Sequence, residues 1–152
     1  MATTKPDFVY VTYIATTPEK VWQAFIDTDV MRQYWIGPSS ECARFNVSDW
    51  KPGSRWQHVT ADAERRVRVE GEVVEFTPPE RLVLTWRDPG AAERTRVTLT
   101  IEQVGKKVRL TVLHDELRPG SDMLPKISEG WPRVVSSLKS LLETGKPLDT
   151  WS

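Results

Sequence analysis

Val21-Trp22-Gln23-Ala24-Phe25-Ile26-Asp27-Thr28-Asp29, running on to Tyr34-Trp35, reads as a short amphipathic helix, an acidic break and a second helix that stops on a tryptophan. Val21, Trp22, Phe25 and Ile26 recur at helical spacing. Upstream, Thr16 with Glu19 has the spacing of a capping box, while Thr17 before Pro18 would put proline at the first helical position; both starts are open. Asp27-Thr28-Asp29 ends the first helix and can cap the second, and Gly37-Pro38-Ser39-Ser40 ends the second. Downstream, Gly71-Glu72-Val73-Val74-Glu75-Phe76-Thr77-Pro78-Pro79-Glu80-Arg81-Leu82-Val83-Leu84-Thr85-Trp86 reads as two strands joined by a Pro-Pro turn, and Gly130-Trp131 lies inside a long terminal helix.

Strands are expected at 8–14, 41–47, 55–60, 67–76, 81–87, 94–103 and 106–114, and a helix at 122–144. In the first strand both faces are largely apolar (Phe8, Tyr10, Thr12, Ile14 against Val9, Val11, Tyr13), which predicts cover on both sides. In the last hairpin Val97, Leu99 and Ile101 oppose Arg96, Thr98, Thr100 and Glu102, so one sheet face should be buried and one wet. Ile127, Trp131, Val134, Val135, Leu138, Leu141 and Leu142 form one apolar stripe on the long helix. Pro132 should kink that helix or begin its main segment, and Gly145 should stop it. A helix with one apolar stripe and a sheet with one apolar face bury each other. The expected architecture is therefore α+β: seven antiparallel strands curved around a long C-terminal helix, with two short helices after the first strand. We read 1–152 as a single domain with its core at about 8–145 and a tail at 146–152.

Composition narrows the function. Lys plus Arg and Asp plus Glu both number 21, so the formal net charge is zero. A nucleic-acid binder needs a cation surplus to displace phosphate counterions, which argues against that class. Arg65-Arg66-Val67-Arg68 is the one candidate basic patch, and it reads as a solvated hairpin end. Cys42 is the only cysteine, and with His58 and His114 it matches no zinc-ligand spacing, so neither a disulfide nor a metal site is expected. No signal pattern and no long apolar run is visible, so the expectation is a cytoplasmic protein without stable membrane insertion. No phosphate-cradling motif occurs, neither Gly-x-x-x-x-Gly-Lys nor Gly-x-Gly-x-x-Gly, so no cofactor is expected, and no Gly-x-Ser-x-Gly nucleophile elbow is present.

These pieces resemble one family. Pro18-Glu19-Lys20-Val21-Trp22 with Trp35, Asp49-Trp50-Lys51-Pro52-Gly53, the hairpin 71–86, Leu113-His114 and Gly130-Trp131 together resemble the START-like (SRPBCC) superfamily, in the group similar to the C-terminal domain of the activator of the 90-kDa heat-shock protein ATPase. The resemblance spans nearly the whole chain. It departs at Gly53-Ser54, where the family commonly has Gly-Gly. It implies a helix-grip fold with a deep cavity, hydrophobic or amphipathic ligands in many relatives, cyclase or hydrolase activity in a few, and no shared catalytic triad. The activator proper carries a further N-terminal docking domain, whereas this chain opens directly on the first strand.

The expected function is binding of a small hydrophobic or amphipathic molecule between sheet and helix. The alternatives are a cyclase or hydrolase using a pocket histidine, and a co-chaperone contact with a heat-shock chaperone. Either a monomer or a homodimer fits. Apolar pockets with a few placed polar groups are the usual ligand sites, and Trp35, Trp56, His58, Trp86, His114 and Trp131 make such a mixture. His114 shares the phase of Val108, Leu110 and Val112 and points inward; it is either a hydrogen-bonded core histidine or an acid–base group. His58 shares a face with Trp56 and Thr60, and that face is read as the concave one. Glu70, Glu72 and Glu75 do not share one face and read as solvated, as does Arg87; Ser136, Ser137 and Ser140 lie off the helix stripe.

Overall fold

The computed structural model describes residues 7–36 and 43–151. Strand β1 (Phe8–Ile14) is followed by helices α1 (Pro18–Ile26) and α2 (Thr28–Tyr34). Six strands come next, β2 (Arg44–Ser48), β3 (Arg55–Thr60), β4 (Val67–Thr77), β5 (Arg81–Trp86), β6 (Thr95–Val104) and β7 (Lys107–Asp115), and then helix α3 (Met123–Thr144). The strands form one antiparallel sheet in the order β1-β7-β6-β5-β4-β3-β2, so the first strand joins the last and closes one edge. Helix α3 covers one face of this curved sheet, and α1 and α2 close its end, which is the helix-grip arrangement.

Local chemistry settles the open helix start. Thr17 caps α1, its hydroxyl accepting from the Lys20 amide, and Pro18 occupies the first turn. Asp27 serves both helices: its amide donates to the Gln23 carbonyl, and its carboxylate accepts from the Asp29 and Val30 amides. Gly145, at φ 82°, ends α3 in the left-handed region. Pro132 lies within an α3 that continues on both sides of it and does not begin a segment. The predicted end of α2 at 37–40, and Cys42, lie outside the described residues.

Gly71 explains how β4 meets β5. A Cβ there would stand 2.1 Å from the Thr85 carbonyl oxygen, so only glycine permits the approach. Close approach lets the Trp56 indole N–H donate to the same carbonyl (2.7 Å) and the Glu72 amide donate to the Thr85 hydroxyl (2.8 Å).

One expectation needs correction. β1 is not covered on both sides: Val9, Val11 and Tyr13 are exposed, because the helices pack on the concave face of the sheet only. The terminal tail makes contacts of its own. The Arg133 side chain donates to the Thr150 carbonyl, and the Leu148 amide donates to the Ser137 hydroxyl, so residues 148–151 fold back on α3. Ser137, predicted off the apolar stripe, is consequently buried.

Candidate functional site

Sheet and α3 do not fill the space between them. A cavity of about 800 Å³ opens there. Its helical wall includes Met123, Ile127, Gly130, Trp131 and Val134. Its sheet wall includes His58, Val67, Val69 and Trp86, and its ends are Trp35-Ile36 and Trp151. The volume lies within the roughly 300–1,000 Å³ usual for small-molecule sites.

Aromatic rings build the wall by leaning on one another. Trp131 packs against Trp35 (centroids 5.7 Å apart) and against Trp86 (5.5 Å), and Trp35 packs against His58 (4.6 Å). Edge-on and tilted pairs of this kind hold rings in place at little rotamer cost. Trp22, by contrast, is plain core: it meets Phe76 at 5.1 Å, and Trp50 stacks on the other side of that ring at 6.1 Å.

Of the six residues predicted to line the pocket, Trp35, His58, Trp86 and Trp131 stand on the cavity wall. Trp56 and His114 do not. Both face the concave side as their strand phase required, but they lie behind Trp86, at 5.4 and 5.5 Å from its ring. One concave face serves both cavity and core, and alternation along a strand does not tell the two apart. Trp151 was missed altogether. It stands on the wall with the Arg133 guanidinium 4.2 Å from its ring centre. An isolated tryptophan in a polar tail was its only signal.

His114 is a satisfied core histidine. The Trp131 indole N–H donates to its Nδ1 (3.2 Å), so Nδ1 holds the lone pair and Nε2 the hydrogen. Nε2–H then donates to the Thr95 hydroxyl (2.7 Å), and that hydroxyl donates to the Trp86 carbonyl (2.9 Å). The chain of donors ties α3 to β7, β6 and β5. Burial lowers the imidazole pKa to about 4, although the Asp115 and Glu93 carboxylates pull the other way.

His58 is held from one side only. Asn46 donates through its Nδ2 to the Phe25 carbonyl (3.2 Å), which turns its Oδ1 toward the imidazole, 2.8 Å from Nδ1. Nδ1 therefore carries the hydrogen and Nε2 the lone pair. Burial, and then the Arg44 and Arg68 cations, lower its pKa to about 3, so both histidines are neutral at pH 7.

The acidic residues form surface ion pairs. Glu70 meets Arg87 at 3.1 Å and Glu75 meets Arg81 at 3.2 Å, as expected of solvated strand positions. Arg65 and Arg66 are exposed at the β3–β4 turn, while Arg68 reaches the cavity wall. Among the described residues no cluster of His, Cys, Asp and Glu could hold a metal ion, and no helix is long and apolar enough to cross a membrane.

Residues 15–143 match the family model described as Activator of Hsp90 ATPase homolog 1-like protein. The chain belongs to this family. Its place in the Activator of Hsp90 ATPase homolog 1-like family, and so in the SRPBCC superfamily, agrees with the resemblance seen in the sequence. Solved structures share the fold. The Aha1 dimer from Colwellia psychrerythraea superposes with a TM-score of 0.74 at 17% identity, over 93% of this chain and 98% of that one. An HSP90 activator from Plasmodium falciparum gives 0.71 at 19% identity, over 90% and 95%. Protein NE0264 from Nitrosomonas europaea gives 0.73 at 19% identity, over 92% and 96%. No curated protein sequence matches the chain.

Proposed function

We propose that this family member binds a small hydrophobic or amphipathic molecule in the cavity between the sheet and α3. The observation that carries the reading is a space of about 800 Å³ walled by four tryptophans, Trp35, Trp86, Trp131 and Trp151. Indole rings present large rigid apolar faces, and filling such a space with an apolar body removes that surface from water at about 25 cal/mol per Å². Binding fits this site better than acid–base catalysis. Both nitrogens of His114 are occupied inside the fold, and the pKa of His58, lowered to about 3, makes it too weak a base for proton transfer near neutral pH.

Gly130 supplies the test. It stands on the cavity wall, and a Cβ added there would meet nothing within 4 Å. Gly130→Leu also replaces a poor helix former with a good one, so α3 should keep its structure. Fluorescence titration with N-phenyl-1-naphthylamine should show saturable binding to the native chain, with energy transfer from the wall tryptophans. Gly130→Leu should weaken it by about tenfold or more, an effect of about 1.4 kcal/mol. Equal affinity in both proteins would place the dye elsewhere and refute the cavity reading.

A further inference from the structure

We infer that the cavity selects a neutral, hydroxyl-bearing amphiphile: a mostly apolar molecule that donates a hydrogen bond to His58 Nε2 and accepts one from Trp151 Nε1–H. This rests on the cavity being a ligand site, and deepens it from shape to chemistry.

Two uncharged cavity-wall side chains carry buried polar atoms that have no hydrogen-bond partner among the described residues. One is His58 Nε2 and the other is Trp151 Nε1. Buried polar groups are nearly always paired, so an unpaired one on a cavity wall marks a point where a ligand's polar group can bond. Two other indoles show the contrast. The Trp131 N–H, on the same wall, has its acceptor in His114, and the Trp56 N–H, packed against Trp86, has the Thr85 carbonyl.

The two unpaired atoms ask for different things. At His58 the lone pair is fixed on Nε2, because Asn46 Oδ1 takes the hydrogen on Nδ1 and is itself oriented by the Phe25 carbonyl. His58 is 1% exposed, and no group of the described residues meets that need. Only a donor satisfies it, an O–H or N–H; a carboxylate or an ether oxygen would face a lone pair with a lone pair. At Trp151 the indole N–H needs an acceptor. Its ring is fixed by the Arg133 guanidinium, and Arg133 also bonds the Thr150 carbonyl next to it. A hydroxyl can serve either point, while a hydrocarbon leaves both unpaired. Arg44 and Arg68 flank the same wall, and they favour a neutral imidazole, so the lone pair persists at neutral pH.

Three probes with one ring system separate the possibilities: 1-hydroxypyrene, 1-methoxypyrene and pyrene-1-carboxylate, titrated at pH 7 against the full chain by fluorescence. The hydroxyl probe should bind about tenfold or more tighter than the methoxy probe, as expected where a site is built to pair a hydroxyl. In His58→Phe, which keeps an aromatic ring but loses the acceptor, that ratio should fall to within about twofold. In Trp151→Phe the hydroxyl and methoxy probes should weaken in parallel, since both can accept from the indole. Trp151 lies near the chain end, so this variant keeps the test open even where His58→Phe unfolds. Saturable but equal binding of the hydroxyl and methoxy probes by the native chain would overturn the donor requirement and leave the cavity reading standing. Tightest binding of the carboxylate would overturn the neutral class. Failure of all three to bind would overturn the cavity reading and this inference together.

Discussion

Between pH 7 and pH 4.5 the protein is expected to lose about 5 kcal/mol of folding free energy through its two histidines. His58 and His114 are buried neutral, with pKa values lowered to about 3 and about 4 in the fold. Unfolded, each returns to about 6.5. As pH falls below that value the unfolded chain takes up two protons that the folded chain refuses. Stability is therefore complete above about pH 6.5 and drains away as pH approaches the folded pKa values. Domains are typically stable by only about 5–15 kcal/mol, so unfolding in mild acid is the expected outcome. Urea denaturation at pH 7, 5.5 and 4.5 measures it. His114→Gln should start less stable at pH 7, because it breaks the bonds to Trp131 and Thr95, yet show a shallower loss in acid. A flat free energy across this range would mean that the histidines are open to protonation in the folded state.

Gly71→Ala should be among the most damaging single-methyl additions available in this chain. The new Cβ would lie 2.1 Å from the Thr85 carbonyl oxygen and 2.7 Å from the Thr85 hydroxyl oxygen. Neither oxygen can retreat cheaply: the first accepts from Trp56 and the second from the Glu72 amide. Relief would also part Glu70 from Arg87, which exchange both backbone bonds at 3.0 Å. Overpacking typically costs about 1–3 kcal/mol, and a lost buried hydrogen bond adds about 1 kcal/mol more. A melting-temperature drop of roughly 10 °C is expected, or failure to fold. Gly130→Ala is the matched control, since its Cβ meets open space, and should hold or slightly raise the melting temperature. A Gly71→Ala melting point within about 2 °C of the native one would show that β4 and β5 can separate freely.

Much of the fold was legible because its signals are local. Helical spacing at Val21, Trp22, Phe25 and Ile26, the Pro78-Pro79 turn, and alternation in 94–114 each depend on residues a few positions apart. The β1 error shows the limit: Val9, Val11 and Tyr13 have the composition of a covered strand, and only the placement of the helices shows that their face has no cover. The site was legible in part. Strand phase put Trp56, His58 and His114 on the concave side, but whether a concave residue meets the cavity or the back of Trp86 depends on ring packing across three strands. Trp151 had no periodic context, and its place depends on contacts between the chain end and Arg133 and Ser137.

Occupation of the cavity can be seen residue by residue through the indole N–H signals of the seven tryptophans in a ¹⁵N–¹H correlation spectrum. On titration with N-phenyl-1-naphthylamine, the signals of Trp35, Trp86, Trp131 and Trp151 should move together and saturate. Those of Trp22 and Trp50, packed around Phe76 away from the wall, should stay in place. Saturable movement confined to Trp22 or Trp50, or no movement of the four wall signals at saturating dye, would contradict a ligand site between the sheet and α3.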